Sequence, residues 1–240
     1  MMYLKEPKES LVKKLYPFIF FILVAIFFSS SCAATPVITE EPLAPETDSA
    51  AITLEPQEAP EFEAPPEERP VIPAIPSYIL GRGLISAEDL AAFLLYVNPD
   101  ADSTFVENLA LYYVEEAAIE GVNHDVAFAQ MSLETGFLRF GNLVTADQNN
   151  FAGLGATGPG FPGLRFPEPR IGVRAQIQHL IAYATDVPLN QELVNPRFFL
   201  VRRGSSPTIG GLAGTWAEDP FYAEKINNIL ERLYFFSFGY

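Results

Sequence analysis

Residues 125–141 read DVAFAQMSLETGFLRFG, and the fold turns on how they are read. Val126, Ala127, Phe128, Ala129, Met131 and Leu133 leave almost no polar face, so the spacing predicts a short helix over residues 125–134 that is buried on all sides. It ends on Glu134 and breaks at once on Thr135 and Gly136. A glutamate there faces the negative end of the helix dipole, which disfavours its anion. Apolar burial acts in the same direction. A carboxyl that holds its proton near neutral pH is what a general acid requires. Outside the cytoplasm a common task for such a group is to protonate a glycosidic oxygen. On spacing alone, a solvated surface glutamate remains the simpler alternative.

Helical patterns flank this segment on both sides. Ser86, followed by Glu88 and Asp89, opens a helix with Leu90, Phe93, Leu94 and Val97 on its apolar face. Residues 104–120 form a second, with Val106, Leu109, Tyr113 and Ala117 aligned and Gly121 as its stop. Residues 142–170 are rich in Gly, Pro and Asn without helical period, which predicts a long functional loop with room for a short hairpin. Helix returns over residues 172–184, where Val173, Ile177, Leu180 and Ile181 align. Asp219 and Pro220 predict the cap and first position of a last helix that ends near Phe236. The expected fold is one mainly α domain over residues 78–240.

The front of the chain reads differently. Lys5, Lys8, Lys13 and Lys14 precede an apolar run from Leu15 to Phe28, and Ser29, Ser30 and Ser31 lead into Cys32, so residues 1–32 have the pattern of an export signal. The placement of Cys32 resembles the lipobox of bacterial lipoproteins, with Ser29 where the strict pattern has leucine. That resemblance implies a lipid anchor on Cys32, with an uncleaved anchor or plain secretion as alternatives. Cys32 is the sole cysteine, which excludes an intrachain disulfide. Residues 33–77 are rich in Pro, Glu, Ala and Thr, with ten acids against Arg69, and predict a disordered tether. Such a tether reaches on the order of 100 Å if largely polyproline II, and roughly 40 Å as a flexible coil. Much of the net charge of −15 lies in it, and no basic stripe appears, so nucleic acid is not an expected partner.

Other signatures fail on context. GLGATG at residues 153–158 matches a dinucleotide fingerprint, but no strand precedes it, and Pro159 and Pro162 stand where a helix should begin. His124 and His179 are the two histidines and have no paired ligand spacing. No metal and no cofactor are expected.

Four stretches, in order and spacing, are similar to the bacterial glucosaminidase family, the mannosyl-glycoprotein endo-beta-N-acetylglucosaminidase-like glycoside hydrolases. They are DVAFAQMSLETGFLRFG, DQNNFAGLGATGPG, FPEPRIGVRAQIQHLIAYA and RRGSSPTIGGLAGTWAEDPFYAEKINNIL. The resemblance implies an α+β lysozyme-like, mainly helical fold with a substrate groove, acting on N-acetylglucosaminyl β-1,4 linkages of peptidoglycan. It implies Glu134 as catalytic acid, Thr135 as the family's Ser/Thr beside it, and Tyr222 near the reaction centre, bonded to a catalytic water or to the acetamido group. It also implies that the segment of Gln148, Asn149, Asn150, Phe151 and Gly153 lines the groove. The amides would meet hydroxyls and acetamido groups, and the glycine would allow close backbone approach. Turn and core roles are the alternative for each. Trp216 is either a sugar-stacking platform or core. For the second acid Glu168 is the candidate, as the one carboxylate between Asp147 and Asp186. The expected partners are glycan strands and, through Cys32, a membrane, which places the protein in the cell envelope facing the periplasm or wall. A catalytically silent peptidoglycan-binding lipoprotein and a lytic transglycosylase remain as alternatives.

Overall fold

The computed structural model describes residues 71–141 and 143–239. The export segment, Cys32 and most of the acidic tether lie outside the described residues. Among the described residues five α-helices carry the fold: α1 (Ala87–Val97), α2 (Ser103–Glu120), α3 (His124–Thr135), α4 (Pro169–Ala184) and α5 (Tyr222–Phe238). A two-stranded antiparallel hairpin, β1 (Ala156–Gly158) with β2 (Phe161–Pro162), completes the mainly α, lysozyme-like domain. Among the described residues no helix is long and apolar enough to cross a membrane.

The helix starts follow from local chemistry. Ser86 Oγ accepts from the Asp89 amide, Asp102 Oδ1 from that of Phe105, and Asn123 Oδ1 from those of Asp125 and Val126. These oxygens satisfy amides that the first helical turn leaves without partners. Gly121 ends α2 in the left-handed region at φ 76°, where a Cβ would be penalised. Helix α3 runs one residue further at each end than expected, so that Thr135 lies inside it, and α4 and α5 differ from the sequence expectation by two residues or more. Helix α4 begins at Pro169, three residues earlier than Gly172, because proline at the first helical position needs no amide partner. Helix α5 begins at Tyr222 and runs to Phe238, since Asp219 Oδ1 accepts from Phe221 N and makes residues 219–221 a separate turn before the helix.

Helix α3 lies at the centre and meets α2, α4 and α5. Val126, Ala127, Phe128, Ala129 and Met131 are fully buried, as the all-apolar reading requires. Tyr113 of α2 meets Phe128 of α3 edge-on, and Phe93 of α1 meets Phe236 of α5. Polar ties sit inside this core. Asp125 accepts from the Leu84 and Ile85 amides and from the Tyr234 hydroxyl, joining the N-terminal segment, α3 and α5. Glu116, fully buried on α2, is held by both Arg174 Nε and Nη2 of α4 at 2.8 and 3.2 Å. A bidentate geometry of this kind offsets the desolvation of a buried carboxylate. The packed chain also starts before Tyr78: Ile75 rests on the core and the Ser77 carbonyl accepts from Ile209 N.

Candidate active site

Glu134 is the penultimate residue of α3, half-buried at the wall of a groove of about 510 Å³. Phe140, Ala152, Gly153, Trp216 and Glu218 line the same groove. Burial pushes the Glu134 carboxyl above its ordinary value, and the hydrogen bonds that it accepts from Tyr222 and Trp216 pull partly against that. Both donors reach one oxygen: the Tyr222 hydroxyl bonds closely to Oε1, and Trp216 Nε1 donates to it at 3.2 Å. Oε2 lies on the side of Gly153, where a Cβ would stand 3.4 Å from it. A proton held on that oxygen is therefore presented to the groove.

The turn after α3 builds the wall next to the acid. Gly136, Phe137 and Leu138 all have positive φ, at 59°, 56° and 62°, and Phe140 follows at 52°. Consecutive non-glycine residues in that region cost roughly 1–2 kcal/mol each. Their bonds offset the cost: Phe137 N donates to Ser132 O, Phe140 N to Thr135 O, and Asn98 Nδ2 to Phe137 O. Thr135 Oγ1 donates to Met131 O and accepts from Leu138 N, so this side chain knots the helix end to the strained turn. Nothing in Phe, Leu and Phe signals a left-handed backbone, and the sequence reading did not anticipate it.

The amides of the QNN segment take the turn and core roles that were the alternative weighed for them. Gln148 Nε2 donates to Pro162 O and Leu164 O, while its Oε1 accepts from Thr145 N. Asn149, at φ 51°, donates to Phe166 O. Asn150, 1% exposed, donates to Leu154 O and Leu164 O and accepts from Leu154 N. Phe151 is buried against Phe105. The amides are engaged by backbone of the loop itself, because a long irregular segment must satisfy its own polar groups. Groove contact from this segment comes from Ala152 and Gly153.

Tyr222 also differs in detail. It is 4% exposed, and its hydroxyl donates to Glu134 and accepts from Gln130 Nε2, so it serves the carboxyl rather than facing a water or acetamido group. Trp216 combines the two roles weighed for it: half-buried, it packs on His179 and Tyr183 and lines the groove. Glu168 is exposed at the N-terminus of α4 and is not among the groove's lining residues. The carboxylate that shares the groove with Glu134 is Glu218, which sequence reasoning passed over. Its position two residues after Trp216 was the available signal.

The family model for the mannosyl-glycoprotein endo-beta-N-acetylglucosaminidase domain matches residues 110–235, from within α2 into α5. The chain belongs to the glucosaminidase family. Glu134, Gly153, Trp216 and Tyr222 all fall inside the matched glucosaminidase segment. An uncharacterized protein of Borreliella burgdorferi is 44% identical over 156 residues, which cover 65% of this chain and 76% of that one. As a glucosaminidase domain it is a glycoside hydrolase directed at peptidoglycan, which places it in the cell envelope.

Proposed function

We propose that the domain hydrolyses the N-acetylglucosaminyl β-1,4 bonds of peptidoglycan, with Glu134 donating the proton to the leaving oxygen. The observation that carries this reading is a carboxyl, pushed towards its protonated form by burial, whose Oε2 faces an open groove inside a glucosaminidase domain. Hydrolysis through an oxocarbenium-like transition state needs that proton and a way to guide water to the sugar. Tyr222 and Trp216 hold Oε1, and the glycine at 153 gives a sugar ring room beside the acid.

The export signal at residues 1–32, lipidation of Cys32 and a tether from residue 33 to the packed segment that begins near Ile75 complete the proposal. They would fix the domain to a membrane and let it reach the wall. Digestion of purified sacculi by the full-length protein, followed by mass spectrometry, tests the reading. The expected products carry N-acetylglucosamine at new reducing ends, and Glu134→Gln releases none. Anhydro-muramyl ends would instead mark a lytic transglycosylase, and binding without release would mark a silent wall-binding protein.

A further inference from the structure

A row of buried hydrogen bonds runs from α2 through α4 and α3 to the acid. Its members are Tyr113, Gln176 and Gln130, each fully buried, and Tyr222. The direction of every bond follows from one backbone group. The Ala127 carbonyl, which can only accept, lies 3.0 Å from Gln176 Nε2, and this fixes the orientation of the Gln176 amide. The same nitrogen donates to Gln130 Oε1 at 2.9 Å, so Gln130 turns its own nitrogen to Tyr222, 3.0 Å away. At the far end Tyr113 donates to Gln176 Oε1 at 2.6 Å. With Gln130 donating to the phenol oxygen, the Tyr222 proton points at Glu134 Oε1.

Full satisfaction of four buried polar side chains in one sense is not needed to fill a core. Apolar side chains would pack the same volume without the demand for partners. On the reading of Glu134 as proton donor, we propose that Gln130 and Gln176 are positioning residues that hold Tyr222 as a one-way donor to Oε1, so that the transferable proton rides on Oε2. An acid proton on Oε1 would meet the Tyr222 and Trp216 hydrogens head-on. If Gln130 did not occupy the phenol oxygen, Tyr222 could turn and accept from Oε1–H, and the proton would point into the protein interior, away from the sugar. The titratable groups around this arrangement are Tyr222 from α5 and Glu218 across the groove. Behind Trp216 stand His179 and Tyr183 of α4, with Arg197 acting on both.

The test is the pH profile of muropeptide release by the full-length protein and its Gln130→Met variant. Met keeps the volume but neither donates nor occupies the phenol oxygen. The expected result is a fall of about tenfold in kcat with KM unchanged, and a basic limb moved to higher pH because the sequestered proton is harder to remove. In a Tyr222→Phe background the same substitution should change nothing further, since its effect passes through that hydroxyl. A Gln130→Met profile that superimposes on that of the parent overturns the proposal, as does an undiminished effect in the Tyr222→Phe background. Should Gln130→Met fail to fold, the parent protein decides. Its Tyr222 hydroxyl proton is expected as a slowly exchanging NMR resonance in contact with the Gln130 amide, and absence of that resonance overturns the proposal. Glu134→Gln separates the two levels. If that variant keeps activity, the acid assignment itself falls; if it is inactive while Gln130→Met behaves as the parent, the positioning role alone falls.

Discussion

Asn150→Ala distinguishes a loop brace from a sugar ligand. The side chain makes three bonds: Leu154 N to its Oδ1 at 2.9 Å, and its Nδ2 to Leu154 O and Leu164 O at 2.9 and 3.0 Å. Both carbonyls have a second donor, in Leu164 N and Gln148 Nε2 respectively, so truncation leaves them partnered. Leu154 N is left buried and unsatisfied. Three neutral bonds at about 1 kcal/mol each set the scale, and the retained second donors bring the expected loss to about 2–3 kcal/mol. With a urea slope of about 1–3 kcal/mol per molar, the unfolding midpoint should fall by roughly 0.7–3 M. Urea denaturation followed by circular dichroism measures it, alongside KM for soluble glycan fragments. An unchanged midpoint together with a KM raised tenfold or more would refute the brace and restore Asn150 as a sugar ligand.

Gly153→Ala places a Cβ 3.4 Å from Glu134 Oε2 at a residue whose φ is 63°. Sacculus digestion should slow by more than tenfold, with about 1 kcal/mol lost from stability through the left-handed backbone. Glu168→Gln should leave the digestion rate within about twofold, because Glu168 stands outside the groove, whereas Glu218→Gln should lower it by about tenfold or more. Equal effects would contradict the placement of the second carboxylate. His179 is buried beside Trp216, and burial first, then Arg197, lowers its value from 6.5 to about 4. Between those limits the unfolded chain binds a proton that the folded one does not. This contribution is therefore intact above pH 6.5 and is lost as pH falls towards 4, by about 3 kcal/mol at roughly 1.4 kcal/mol per pH unit. An imidazole NMR titration with a midpoint near 6 would contradict it.

The helices were legible where a single physical cause acted alone. The apolar content of residues 126–133 implies a helix buried all round, and Ser86 caps α1 as its side chain dictates. The upward push on the Glu134 carboxyl was legible because the residue ends an apolar, buried helix; its part as proton donor is the proposal made above. The amides were not legible, since a buried Asn that braces a loop and an exposed one that meets a sugar are spelled alike. Gln130 and Gln176 sit in helices 46 positions apart, and their bond exists only once α3 and α4 pack. The same holds for Glu116 and Arg174, 58 positions apart. Glu218 was not legible because the turn before α5 meets the groove only once the chain folds back onto it.

The most direct measurement follows the Glu134 carboxyl carbon by NMR through a pH titration, its resonance assigned by its loss in Glu134→Gln. The account predicts a midpoint above the ordinary 4.5 of a glutamate, falling when glycan fills the groove only if sugar contacts stabilise the anion. A midpoint at or below 4.5 in the free protein would show an ordinary solvated carboxylate, and the assignment of Glu134 as the proton donor would be contradicted.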